Sequence, residues 1–390
     1  MPEHEDTAVS APLRPSRLEI RLLRAPTERP VRTSFGTMTS RPCLLVRVED
    51  ADGAFGWGEI WCNFPACGAE HRARLVETVA APLLLGGTFA DPGAAFGALE
   101  RGSHLLALQA GEPGPFAQVA AGLDIALWDL AARRAGLPLV RLLGGERREV
   151  RAYASGIDPE EAAATVARAR AEGHRCFKVK IGFGRERDLA AIRAARAALG
   201  PGEAFMLDAN QRWAPEEARA FAPTIAAFGP LWLEEPLAAD TPWQAWRELA
   251  RLGPPLAAGE NLRGRAAFEA ALESGAFAYL QPDLCKWGGI SGGLPLARKI
   301  AAAGAVYCPH YLGGAVGLLA SAHLLAATAG PGLLEMDVDP NPLRTELCGE
   351  VLPVADGLAR LPEEPGLGPE PDPAVLRAFG TLALELRAGG

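Results

Sequence analysis

Three carboxylates stand at even intervals in this chain: Asp208, Glu234 and Glu260, each 26 residues from the next. Each follows a short apolar run, as do Lys178 and Lys180 before them and Asp283, His310 and Glu335 after them. Three carboxylates gathered in one place repel and cannot all ionise without a compensating cation. Hard oxygen donors with room for water and substrate suit Mg2+ better than zinc or copper. Taken singly, Asp208 or Glu260 could instead cap the helix that follows; three at matching positions fit that reading poorly. Lys178 and Lys180 are two apart, so on a strand their side chains share a face. A crowded pair of ammonium groups depresses the pKa of one, as a general base requires. Asp283 beside His310 would fix the imidazole tautomer and raise the basicity of the other nitrogen. Glu335, if protonated, could donate to a developing oxyanion.

These groups come together only if the runs that precede them are strands of one barrel. From Val150 onward, short apolar runs alternate with Ala-, Arg- and Glu-rich stretches. The runs Val150–Ala154, Cys176–Ile181, Ala204–Asp208 and Leu231–Glu234 read as strands. Pro255–Gly259, Ala278–Gln281, Ala305–Pro309 and Leu333–Met336 continue the series. Segments such as Pro159–Glu172, Glu186–Ala198 and Pro215–Phe228 read as the intervening helices. The unit recurs roughly every 25 residues, the size of one βα step. Eight such strands predict an α/β barrel, in which C-terminal strand ends converge on one mouth. A doubly wound sheet would carry a Gly-rich phosphate loop after its first strand, and Ala152–Ile157 offers none. The first 140 residues differ: Arg17–Leu23 and Cys43–Glu49 alternate like antiparallel strands around turn-rich Thr33–Pro42, and Phe116–Ala135 is helical in pattern. The expected organisation is a frayed tail (1–16), an α+β cap (17–145), the barrel (146–352) and a C-terminal segment (353–390) that returns to the cap.

Composition narrows the partners. The 390 residues are 49% hydrophobic and 22% charged, as in a globular protein with a substantial core. A net charge of -8, with no basic cluster interleaved with aromatics, argues against nucleic acid. Apolar runs such as Ile300–Cys308 are too short to span a bilayer. Met1–Pro15 lacks a signal-peptide core, so a cytoplasmic location is expected. Seven scattered cysteines, none in CxxC spacing, suggest neither a disulfide framework nor a zinc site. A small-molecule substrate and further copies of the same chain remain as the expected partners.

The ordered set of motifs resembles the enolase superfamily, mandelate racemase subgroup. The matching pieces are Lys178-Val-Lys180, Asp208-Ala-Asn210, Leu233-Glu234-Glu235-Pro236, Gly259-Glu260-Asn261, Pro282-Asp283, Gly288-Gly289, Pro309-His310 and Leu334-Glu335. Phe35-Gly36, Gly56-Trp57-Gly58-Glu59 and Gly366-Leu367-Gly368 extend the likeness over nearly the whole chain. The resemblance implies a modified (β/α)7β barrel with a cap built from both chain ends. It implies that Asp208, Glu234 and Glu260 hold Mg2+, which binds a substrate carboxylate. Lys180 would be the base on one face of the α-carbon with Lys178 beside it, and the His310–Asp283 dyad would serve the other. Glu335 would bond the enediolate, and Asn210 would touch substrate. The muconate-lactonising branch carries a catalytic lysine where this chain has Asp283; Lys286 lies three residues further on, which argues against cycloisomerisation.

Two outcomes fit bases on both faces: dehydration of an acid sugar to a 2-keto-3-deoxy acid, which is preferred, or racemisation or epimerisation of a 2-hydroxy acid. A Schiff-base aldolase would not need the carboxylate triad, and a non-catalytic binding protein would not keep every one of these groups. Specificity is expected from Thr33–Arg41 and Trp61–His71, with Phe35, Trp61 and Phe64 as an apolar wall. In the same loops Arg41, Asn63 and His71 could meet hydroxyls or a second carboxylate.

Overall fold

A computed structural model describes residues 11–33 and 36–389. Eight parallel strands follow one another from the middle of the chain: β4 (Glu149–Ile157), β5 (Cys176–Lys180), β6 (Ala204–Asp208), β7 (Leu233–Glu234), β8 (Leu256–Ala258), β9 (Phe277–Leu280), β10 (Val306–Tyr307) and β11 (Leu333–Asp337). Sheet neighbours follow chain order from β4 to β10, and β11 returns to pair with β4. A helix joins each strand to the next, from Ala162–Ala171 to Ala315–Ala326, giving the modified (β/α)7β barrel. Between β10 and β11 no ladder forms among the described residues. The backbones still approach closely there, for a Cβ on Gly332 would lie 2.1 Å from the Tyr307 carbonyl oxygen.

Period-two alternation divides labour along each strand. Phe177 and Val179, Phe205 and Leu207, and Leu233 share a core with residues of the surrounding helices, among them Ile192 and Phe221. Cys176, Met206 and Trp232 share a second core with Tyr153, Cys308 and Leu333. Trp232 meets Tyr153 edge-on at 5.3 Å and Tyr279 at 4.9 Å. One inward step towards the strand ends, the same faces carry Lys178, Asp208 and Glu234. Apolar filling below thus makes the floor on which the charged ring stands.

The cap is a four-stranded antiparallel sheet in the order β14-β1-β2-β3, with β1 at Pro15–Thr33, β2 at Gly36–Asp50, β3 at Phe55–Ile60 and β14 at Gly380–Arg387. Helix Pro113–Arg134 packs on β2 and β3, and helix Pro92–Ala110 packs on that helix in turn. Leu13 bridges to Phe89 and β1 begins at Pro15, so the chain from about residue 11 is built into the cap rather than frayed. Residues 1–10 of the expected tail lie outside the described residues. After the barrel, β12 (Val354–Ala355) and β13 (Leu358–Arg360) form a hairpin whose second strand runs antiparallel to β4. The chain then meets the cap at Gly366, whose N donates to the Leu137 carbonyl and whose carbonyl accepts from Leu139 N, and again as β14 beyond helix Pro373–Phe379.

Two buried carboxylates fasten cap to barrel, and a third fastens the cap to the C-terminal segment. Glu59 on β3 accepts from Gly314 N (2.6 Å) and Gly317 N (2.9 Å) at the start of helix Ala315–Ala326. Asp124 accepts from Ile290 N (2.7 Å) and Ser291 N (2.8 Å) at the start of helix Gly289–Ala302. Asp129 accepts from Trp57 N on one side and Leu367 N on the other. Each carboxylate meets amides that a helix start, a loop or the edge strand β3 leaves without a partner of its own. All seven cysteines are free, and six are buried. No helix among the described residues is long and apolar enough to cross a membrane.

Candidate active site

The barrel mouth opens on a cavity of about 120 Å3 lined by Lys178, Lys180, Asp208, Asn210, Glu260, His310 and Glu335, and by Trp61 from the cap. Glu234 and Asp283 stand just behind this wall, bonded to Lys178 and His310. The lysines, carboxylates, His310 and Asn210 read from the sequence therefore meet in one place with Trp61, while Phe35 lies outside the described residues.

Lys178 is the hub. Its ammonium lies 2.5 Å from Glu234, 2.7 Å from Glu335 and 3.9 Å from Asp208. Burial alone would lower its pKa, but Glu234, Glu335 and Asp208 more than reverse that and hold it well above the ordinary lysine value. The depression expected for one lysine of the pair does not fall on Lys178. Lys180, two residues on, borders the same cavity with its side chain partly exposed.

His310 is clamped on both ring nitrogens. Nδ1 is 2.8 Å from Asp283 Oδ2 and Nε2 is 2.6 Å from Glu260 Oε2. Burial opposes its charge, but Glu260, Glu335 and Asp283 raise its pKa well above the ordinary value. Two carboxylate partners require both nitrogens to carry protons, so the geometry presents an imidazolium rather than a neutral base.

Glu335 departs from expectation. Burial would favour its protonated form, yet Lys178 and His310 pull its pKa below the ordinary carboxylate range. Ser155 Oγ donates to it at 2.5 Å and Tyr311 N at 3.1 Å. In this arrangement it is an ionised acceptor that holds Lys178 and the backbone beside His310, not a proton donor.

Nor do Asp208, Glu234 and Glu260 converge on one point. Among the described residues, no three His, Cys, Asp or Glu side chains form a group that could hold a metal ion as they stand. Each carboxylate has turned to donors of its own. Glu234 accepts from Lys178, Trp232 Nε1 (3.0 Å) and Gln281 Nε2 (2.6 Å). Glu260 meets His310 and Lys286, and Asp208 accepts from Asn210 N and Nδ2, both at 2.8 Å. Their electrostatics still describe a site with too much negative charge. Burial, then the charges of Asp208 and Glu335, push Glu234 up to about 7. Asp208 is raised by burial and Glu260, and Glu235 well raised by burial, Glu260 and Asp208. Three buried carboxyls and the partly buried Glu260, at the ends of three adjacent strands and all oxygen donors, fit a hard divalent cation such as Mg2+.

Several residues of the site were not singled out from the sequence. Lys286 points into the cavity, 3.2 Å from Glu260 Oε2 and 4.8 Å from the centre of the Trp61 ring. Asp283 explains this: its Oδ1 accepts from Cys285 N (2.8 Å) and Lys286 N (3.1 Å), curling the chain back over the mouth. Asp337 and Asp339 border the cavity from the end of β11. Asp337 lies two residues beyond Glu335, so strand alternation would have found it. Of the cap residues considered for specificity, Trp61, Asn63 and Phe64 line the cavity. Arg41 is instead committed to a buried ion pair with Asp337 at 2.9 Å, and His71 pairs with Glu112 at 3.0 Å.

The chain matches two sequence families: "Mandelate racemase / muconate lactonizing enzyme, N-terminal domain" over residues 17–144 and "Enolase C-terminal domain-like" over residues 161–375. It is 34% identical to D-galactarolactone cycloisomerase of Agrobacterium fabrum, over 87% of this chain and 91% of that one. It is 31% identical to D-galactonate dehydratase of Ralstonia nicotianae, over 85% and 90%. A solved mandelate racemase/muconate lactonizing enzyme from Bordetella bronchiseptica RB50 superposes with a TM-score of 0.89 at 53% identity, covering 94% of this chain and 99% of that one. L-talarate dehydratase from Polaromonas sp. JS666, complexed with Mg and L-glucarate, superposes with a TM-score of 0.83 at 28% identity, covering 96% and 99%.

Proposed function

Since the chain belongs to the mandelate racemase subgroup of the enolase superfamily, we propose that it is an enzyme that removes the α-proton of an acid sugar and dehydrates it to a 2-keto-3-deoxy acid. The observation that carries this reading is the pairing of proton-transfer groups around one cavity. Lys180 enters from β5, and His310 follows β10 with two carboxylates holding its protons.

Asp208, Glu234 and Glu260 would hold Mg2+. When bound, the ion supplies positive charge that binds the substrate carboxylate and stabilises the enediolate. Lys178, held cationic, faces the same developing charge. Lys180 Nζ takes the proton from C2, and the C–H electrons move into the carboxylate. His310 gives a proton to the hydroxyl on C3 as the C3–O bond breaks and water leaves. The resulting enol rearranges to the 2-keto acid. Asp283 orients the imidazole, Glu335 positions Lys178, and Asn210 and Trp61 border the bound chain. Dehydratases acting on acid sugars among the relatives support this reading. The cycloisomerases among them, and Lys286 inside the cavity, make sugar lactones necessary members of any substrate screen.

The test is proton NMR in D2O with Mg2+ and a library of acid sugars, their lactones and other 2-hydroxy acids. A new keto-deoxy product upholds dehydration. Loss of the α-proton signal without a product selects racemisation or epimerisation, which the same two groups on opposite faces allow. No exchange with any member sinks the proposal.

A further inference from the structure

Asp283 does more than orient His310. Its Oδ2 lies 2.8 Å from His310 Nδ1, while its Oδ1 accepts from Cys285 N at 2.8 Å and Lys286 N at 3.1 Å. The Asp283 carbonyl accepts from Lys286 N as well, at 3.0 Å. One buried residue therefore sets both the imidazole and the turn from which the Lys286 side chain enters the cavity. Trp61 N donates to the Cys285 carbonyl at 3.4 Å, which ties the cap to the same turn. The Trp61 ring centre lies 4.8 Å from Lys286 Nζ, close enough for a cation–π contact. A long, flexible side chain is thus held at both ends.

The two cationic groups that Asp283 positions meet at one atom. Glu260 Oε2 is 2.6 Å from His310 Nε2 and 3.2 Å from Lys286 Nζ. Those contacts mark a point at the mouth where one oxygen takes hydrogen bonds from an imidazolium and an ammonium together. Lys180, Asp208 and Asn210 border the same cavity. In its proposed role Glu260 gives oxygen to Mg2+, and the substrate oxygen that His310 protonates stands before the two donors in its place. Neutralising Glu260 is the plainer role for Lys286. It accounts for the ion pair but not for the convergence, because Glu260 already meets a cation in His310.

We propose that Lys286 is a catalytic residue, a second donor beside His310 to the oxygen that leaves C3. The inference rests on the dehydration proposed above. As the C3–O bond breaks, its electron pair goes to that oxygen, which takes its proton from His310. Lys286 keeps its own protons and stabilises the charge that builds on the oxygen before the proton arrives. It has no part in removing the proton from C2, which falls to Lys180.

The two steps are separated by proton NMR in D2O at saturating Mg2+, with the acid sugar that the wild type converts. Lys286→Met keeps the side chain's length and loses its charge. Lys286→Ala is measured beside it, so that the result does not depend on one variant folding. Product formation is expected to fall about 10^2-fold or more, as when one preorganised donor is removed. Deuterium should continue to enter C2 of the unreacted sugar, because the enediolate now returns to substrate more often than it loses water. The ratio of exchange to product is therefore expected to rise about tenfold or more. An unchanged ratio, whether both rates hold or fall together, overturns the inference. A wild type that forms no product sinks the dehydration first, and the inference with it.

Discussion

His310 is held by Asp283 on one nitrogen and faces Glu260 with the other. Asp283→Asn keeps the shape but places an amide where a carboxylate stabilises imidazolium. Turnover should fall about 10^2- to 10^4-fold, the range that one acid–base group contributes, with circular dichroism unchanged. A loss of less than tenfold would remove His310 from the proton-transfer step. The carboxylates make a separate prediction about the cation. Mg2+ binding to the folded site alone should raise the melting temperature, worth about 2.7 kcal/mol at a hundredfold excess over Kd. Asp208→Asn removes one of the mutually repelling charges, so it should leave the metal-free melting temperature unchanged or higher while abolishing the Mg2+ shift. A variant that keeps the full shift would show that Asp208 is not a ligand.

At the level of elements, the cap sheet sits directly on helix backbone. In β3, a Cβ on Gly58 would lie 2.0 Å from the Gly122 carbonyl oxygen and 2.8 Å from Ala126 N. Neither is a flexible chain end, so the strand and helix Pro113–Arg134 have to part. Gly58→Ala should cost about 3 kcal/mol in urea unfolding, at the upper end of ordinary overpacking. A cost under about 1 kcal/mol would mean that the contact yields easily. The neighbouring Glu59 reaches helix Ala315–Ala326 from the same strand, so its amide bonds depend on that approach. Displacing β3 therefore also disturbs the loop that follows His310.

Across the whole molecule, His323 locks the C-terminal segment to the barrel. Its Nδ1 accepts from Val140 N at 3.1 Å and its Nε2 donates to the Leu367 carbonyl at 3.3 Å. Only the neutral ring satisfies both, and burial lowers its pKa from 6.5 to about 4. Between those values the unfolded chain binds more protons, so this group's stabilisation is complete above pH 6.5 and lost as pH falls towards 4. The full window is worth on the order of 3 kcal/mol. Buried carboxyls such as Asp124, raised to about 7, titrate with the opposite sign. The His323 contribution is therefore read as the difference between wild type and His323→Asn, whose Oδ1 can still accept from Val140. Parallel pH–stability curves for the two proteins would contradict the assignment.

The sequence by itself determined the barrel and the ring of charges at its mouth. Alternation with period two and a βα repeat of roughly 25 residues place Lys178, Lys180, Asp208, Glu234 and Glu335 at inward strand ends, and those ends have no choice but to converge. What each group does with its charge was decided only in three dimensions. Glu335 is ionised because Lys178 stands 2.7 Å away, and His310 is doubly paired because Glu260 faces it across the mouth. The return of the chain end to the cap was expected, but not that it arrives as a strand, β14, because a lone edge strand leaves only a weak alternating pattern, completed by its partner β1. Lys286 was set aside for lying past a strand end, yet the turn that Asp283 gathers brings it back into the cavity. Sequence spacing fixes where a backbone goes; the protonation and direction of a buried side chain depend on the electrostatics of neighbours far along the chain.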